Sequence, residues 1–142
     1  MFTRIAGTIG TAALVMGALL GIASPANAET NPACSSDMTQ IGTTAYIKSG
    51  GTTVASVKQF KGCNKNWSYT YVWEGFRSSH SGTWWACSGV STSSGLEDYK
   101  CGGNHQKEVW SSGANTLNVC TKAYGQLEWS GGEGSAATSQ RC

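Results

Sequence analysis

From Trp67 to Glu74 the chain alternates without a break. Trp67, Tyr69, Tyr71 and Trp73 fall on one side, and Ser68, Thr70, Val72 and Glu74 on the other. A period of two is the signature of a strand, because successive side chains of an extended backbone point to opposite faces. Upstream, Thr43 to Lys48 is rich in Thr, Tyr and Ile, and Thr53 to Phe60 reads as a second strand. Ser49-Gly50-Gly51-Thr52 lies between them, so the pair predicts a hairpin. Gly62 to Asn66 is the next turn. Thr83 to Ser88 reads as a further strand, and Gly89 to Gly95, rich in Ser, Thr and Gly, as an exposed loop. Thr116 to Tyr124 and Gln126 to Ser130 predict another hairpin around Gly125. Gly131 to Gln140 reads as a loose tail pinned by Cys142. No segment has a helical period and no repeat occurs. The expected fold is all-β: a small disulfide-stapled antiparallel sheet, sandwich or open barrel, with long Gly/Ser-rich loops.

The N-terminus follows a different pattern. Arg4 is followed by an apolar run from Ile5 to Ile22, then the breaker Ser24-Pro25, then Ala26-Asn27-Ala28. A positive flank, an apolar stretch and small residues at −3 and −1 are the features read by signal peptidase. The run is near the lower limit for a membrane-spanning helix, but it ends in a cleavage pattern with no positive stop-transfer flank. Residues 1–28 are therefore expected to be a cleaved signal peptide, and residues 29–142 a single secreted, extracellular domain without stable membrane insertion.

That route changes how the six cysteines are read. Cys34, Cys63, Cys87, Cys101, Cys120 and Cys142 are even in number and lie on a secretory chain, which predicts three disulfides. No Cys-x-x-Cys occurs, so a zinc knuckle or thioredoxin-like redox site has no support. Six cysteines allow many connectivities. The working arrangement is sequential, Cys34–Cys63, Cys87–Cys101 and Cys120–Cys142, stapling a hairpin, a loop and the C-terminus. Such bonds contribute about 2–5 kcal/mol each in small secreted domains.

Part of this pattern resembles a known family. The run Cys34-Ser-Ser-Asp37, the hairpin TTAYIKSGGTTVASVKQF and the step Cys63-Asn-Lys-Asn-Trp67 look like an uncharacterised family of small secreted actinobacterial domains. The likeness runs from Cys34 to Trp73. It departs from the family in lacking a second Cys just before Cys34 and in a shorter turn between Phe60 and Cys63. It implies a bacterial origin, secretion and a β fold, and adds nothing on catalysis.

Composition narrows the functions. The chain of 142 residues carries 10 Lys+Arg against 8 Asp+Glu, and only 13% of it is charged. This excludes a highly charged disordered chain and a nucleic-acid binder driven by charge. Lys48, Lys58, Lys61, Lys65 and Arg77 lie in one stretch, which is either a mild basic patch or a solvated lysine face. Branched aliphatics are few, so aromatics must supply much of the core. Each Trp or Tyr buries about 150–250 Å².

The aromatics also supply the candidate site. The stripe Trp67, Tyr69, Tyr71 and Trp73 would make a platform about 20 Å long. It is either a sugar- or partner-binding face or the core side of its strand, opposite a polar face. Of Trp84 and Trp85, one must face away from what the other buries. With Arg77 and His80 nearby, they form a second candidate binding set. For catalysis, His80 or His105 could serve as a base with Asp37, Asp98, Glu74 or Glu108 behind it. The ordinary reading of both is a surface or hydrogen-bonded loop residue. No Gly-x-Ser-x-Gly elbow occurs. Asn66-Trp67-Ser68 matches the glycosylation acceptor pattern. Nothing calls for a metal or a cofactor.

The leading expectation is a secreted, non-catalytic binding module for an extracellular glycan, cell envelope or protein surface. A disulfide-stapled protease inhibitor or bacteriocin-like antagonist, working through the Cys87–Cys101 loop with Leu96 and Lys100, is the alternative. A small secreted hydrolase stands third.

Overall fold

The structure is a computed structural model and describes residues 29–35 and 38–142. The expected signal peptide and Asp37 lie outside the described residues. The elements are β1 (Thr39–Ser49), β2 (Thr52–Gly62), β3 (Lys65–Val72), α1 (Glu74–Ser79), β4 (Trp84–Thr92), β5 (Gly95–Cys101), β6 (Glu108–Trp110), β7 (Lys122–Trp129) and β8 (Gly132–Ala137). They form two antiparallel four-stranded sheets, ordered β1-β2-β3-β6 and β5-β4-β7-β8. The arrangement is sandwich-like and all-β, as the alternation predicts.

The first turns follow their chemistry. Gly50 and Gly51 take φ of 54° and 83°, and Cys63 and Asn64 take 49° and 55°. Two consecutive positive φ values give the type I′ twist that matches paired strands. Glycine adopts it without a Cβ clash, and asparagine tolerates it.

Other expectations are corrected. Glu74 does not continue the strand but begins α1, whose Phe76 is buried at the end of the sandwich. Gly89 to Thr92 is strand, not loop: Val90 is fully buried, and β4 turns only at Ser93-Ser94. Thr116 is not in a strand, and Gly125 is not a turn. β7 runs straight through Gly125 and turns at Ser130-Gly131. The supposed tail is β8, paired along β7 from Tyr124↔Ala137 to Trp129↔Gly132.

Gly125 sits mid-strand because the sheets nearly touch there. A Cβ on it would lie 2.4 Å from Val57 Cγ2 and 2.5 Å from Thr70 Oγ1. Around this point the inter-sheet layer is small and hydroxylated. Ser88 Oγ donates to Ser68 Oγ (2.8 Å), Ser68 Oγ to the Tyr124 carbonyl (3.0 Å), and Thr70 Oγ1 to the Cys87 carbonyl (3.1 Å). Nearby, Gln59 Nε2 donates to Thr121 Oγ1 at 2.6 Å. Each of these hydroxyl and amide groups of the inter-sheet layer thus has a partner, without which its burial would be costly. The apolar core lies toward the other end, where Ile47, Val72, Leu127, Trp84 and Phe76 pack together.

The disulfides are the sequential set: Cys34–Cys63, Cys87–Cys101 and Cys120–Cys142. Cys87 and Cys101 are direct cross-strand partners, and the last bond closes beside the Thr121↔Arg141 bridge. Three disulfides suit an oxidising, extracellular environment.

The close approach gives a stability prediction. Gly125→Ala is expected to lose about 3 kcal/mol of unfolding free energy, because neither Val57 nor Thr70 can withdraw without moving its sheet. Denaturant unfolding of the oxidised protein measures it. A loss below about 0.5 kcal/mol, the range of ordinary surface changes, would show that the sheets do not meet at Gly125.

Candidate functional site

The aromatic stripe of β3 points away from the other sheet. Ser68, Thr70 and Val72 face inward, so Trp67, Tyr69, Tyr71 and Trp73 lie on the outer face. The expectation of either a bare platform or a core face is replaced by a division along the strand. Trp67 and Tyr69, each 4% exposed, are buried beneath a second small cluster with Cys34, Phe60 and Trp110. Tyr71 is half-buried and Trp73 is 39% exposed.

The open half forms a row across all four strands of the first sheet. Tyr46 of β1 pairs with Ser56 of β2, Ser56 with Tyr71 of β3, and Tyr71 with Glu108 of β6. Direct partners share a face. Ser56 is therefore a low floor between two tyrosines, which stand two strand spacings apart, roughly 9.5 Å. Tyr46 is 48% exposed, and Trp73 meets it edge-on at 6.0 Å. The Arg77 guanidinium lies 6.0 Å from the Tyr71 ring centre, and its Nε donates to the Val72 carbonyl. Arg77 also pairs with Glu74.

Beside Tyr71 is a cleft of about 460 Å³ bordered by Glu29, Ser56, Lys58, Tyr69, Lys107 and Glu108. Lys58 pairs with Glu29, and the Tyr69 hydroxyl donates to Glu108 Oε2 at 2.9 Å. Its border thus combines ring surface with charges of both signs.

No family model, curated protein or solved structure matches this chain.

The second sequence-predicted set does not assemble. Trp84 points inward and is 2% exposed, between Phe76 and the stacked ring of His105. This corrects its candidacy as a surface contact. Trp85 lies half-buried on the opposite side of β4, across from Glu128. His80 stacks on Phe76 at 3.8 Å. Arg77 reaches Tyr71 of the aromatic row, and His80 borders a cleft of about 270 Å³ with Trp73.

Among the described residues, neither histidine has an acid behind it. His80 Nδ1 lies 3.0 Å from both the Phe76 carbonyl and Ser79 Oγ, while Ser79 Oγ donates to the Gly75 carbonyl. The imidazole therefore donates to a backbone acceptor, and the serine proton is already used. His105 Nε2 faces the Gly82 carbonyl at 2.7 Å. Glu74 and Glu108 are engaged by Arg77 and Tyr69. The glycosylation pattern falls on a buried asparagine: Asn66 Nδ2 donates to the Thr116 carbonyl and hydroxyl.

Sequence reasoning missed Tyr46, Ser56, Lys58, Lys107 and Glu108 as neighbours of Tyr71. The register of the first hairpin was the available signal, but a bulge between Ile47 and Lys48 shifts it. An unbulged hairpin would set Tyr46 against Ala55.

Burial, then the hydrogen bond to Glu108 and the charges of Glu108 and Glu29, push the Tyr69 phenol well above the usual tyrosine range. Burial also raises Tyr99, with Tyr124 and Glu128 adding to it. A neutral group with a raised folded-state pKa stabilises the fold below its unfolded value, about 10, and that contribution is lost as pH rises beyond it. Unfolding free energy is expected to fall above about pH 10. Tyr69→Phe should flatten this decline without abolishing it, since Tyr99 remains. Identical alkaline slopes for wild type and Tyr69→Phe would show that Tyr69 titrates normally.

Proposed function

We propose that the chain is a secreted, non-catalytic binding module whose open aromatic row holds a sugar ring of an extracellular or cell-envelope glycan. The observation that carries this reading is the Tyr46–Ser56–Tyr71–Glu108 row. A pyranose has apolar C–H faces and a polar rim. Ring surface suits the faces, and charged or hydroxyl groups suit the rim. Tyr46, Trp73 and Tyr71 supply the first kind of surface. Ser56, Lys107 and Glu108 supply the second. Secretion is supported by the signal-like N-terminus and by three disulfides.

The inhibitor alternative has less support. Cys87 to Cys101 forms a paired hairpin, in which Ser88 meets Lys100 and Ser91 meets Leu96. A substrate-like loop would present unpaired backbone to a protease. Leu96 remains 44% exposed.

The test is pelleting of the oxidised secreted protein with insoluble glycans and purified cell wall. Saturable pelleting is expected. Tyr71→Ala and Tyr46→Ala should each weaken it about tenfold, the loss of one ring contact at 1.4 kcal/mol per decade, with the unfolding midpoint little changed for the exposed Tyr46→Ala and lowered for the half-buried Tyr71→Ala. No pelleting with any glycan, or unchanged pelleting of the double variant, would rule out this row as a glycan site.

A further inference from the structure

A second cleft on the outer side of the first sheet is built around an unpaired buried amide. Its volume is about 380 Å³, and its lining includes Asn31, Lys65, Trp67, Lys100, Trp110 and Ser112. Asn31 is 1% exposed. Its Oδ1 accepts the Ala33 N–H at 2.9 Å, which fixes the amide orientation and leaves Nδ2 as a pure donor. Among the described residues, Asn31 Nδ2 has no partner. Buried donors are nearly always satisfied, so an orphan one lining a cleft asks for an acceptor from outside the chain.

The surroundings say which acceptor. Trp67 spends its indole N–H on the Gly62 carbonyl (2.9 Å), so the small part of its 4%-exposed ring that borders the cleft is an apolar edge. Trp110 packs on Tyr69 and Phe60 and supplies a second ring. Gly113 keeps the space between chain and rings narrow: a Cβ there would lie 2.5 Å from Lys65 Cδ and 2.7 Å from Trp67 Cη2. Lys65 and Lys100 form no ion pair with another described residue. One orphan amide donor, two unpaired ammonium groups and two indole rings complement a carboxylate carried on a ring.

We propose that this cleft binds a ring-bearing carboxylate, with the carboxylate at Asn31 Nδ2 between Lys65 and Lys100 and the ring against Trp67 and Trp110. The site shares neither Tyr46 nor Tyr71 with the proposed glycan row, so each can fail alone. Two sources share this chemistry, aromatic acids and acidic sugars.

The experiment is a titration of the ¹⁵N-labelled, oxidised secreted protein with sodium benzoate and sodium glucuronate at matched ionic strength. Benzyl alcohol and glucose are the uncharged counterparts. The side-chain amide resonances of Asn31 and the tryptophan fluorescence report binding. At least one acid is expected to shift the Asn31 amide saturably, and its uncharged counterpart to bind at least about tenfold more weakly. Response to benzoate alone assigns an aromatic acid, and response to glucuronate alone an acidic sugar. The double substitution Lys65→Gln/Lys100→Gln, at solvent-accessible positions, should weaken binding about tenfold or more. Asn31→Asp keeps the acceptor for Ala33 and should abolish binding by repulsion; the lysine pair decides the matter if that variant does not fold. The proposal is overturned if neither acid shifts the amide saturably up to about 50 mM. Equal binding of the uncharged counterparts, or an unchanged affinity in the lysine double variant, overturns it as well.

Discussion

The two sheets come within side-chain contact at Gly125, and most of the molecule is arranged around that constraint. Face-to-face sheets ordinarily stand about 10 Å apart, spaced by apolar side chains. Here a glycine faces Val57 and Thr70, and Ser68, Thr70 and Ser88 fill the gap with hydrogen bonds instead of bulk. There is no room for a ring in this layer. Trp84 and Phe76 take the wider end of the sandwich, and the remaining large aromatics of the first sheet are displaced to its outer face.

An outer face that carries rings must be covered or must bind something. The structure does both, in different places. Cys34–Cys63 ties the N-terminal segment to the β2–β3 turn, next to the rings of Phe60, Trp67 and Trp110. The disulfide therefore anchors the cover as well as constraining the chain. That cover thins at Tyr71, which is half-buried, and ends before Trp73, which is exposed. It is also incomplete above Trp67 and Trp110, where Asn31 is left with an unused donor.

The alternation of β3 was legible from Trp67 onward because a period of two needs no tertiary information. That the six cysteines form three disulfides was legible from their even number on a secretory chain, but their pairing was not, because six cysteines allow many connectivities. Which face of β3 is buried was not legible. Chemistry favours burying rings over serines, and sequence alone could not reveal that Gly125 brings the sheets too close for rings. The same glycine misled the strand assignment: mid-strand glycine and turn glycine look alike until the opposing sheet is known. β8 was missed for a related reason. Gly132 and Gly134 lie where a Cβ would meet Trp129 and Ile47, so this strand needs small residues rather than those of high β propensity.

The candidate row depends on one local irregularity. In the first hairpin, Ser49 pairs with Thr52 and Lys48 with Thr53, after which the ladder slips and Ile47 pairs with Ala55. The extra residue, Val54, is itself buried in the core. A β-bulge adds one residue to one strand and changes what every later position faces across the ladder. Without it, Tyr46 would stand beside Ala55, on the row that holds Val72 and belongs to the core. With it, Tyr46 stands beside Ser56 and in line with Tyr71 and Glu108. The bulge thus buries one more valine and, by the same slip, places a tyrosine on the open face. One detail of strand register serves both the stability of the sandwich and the shape of its outer surface.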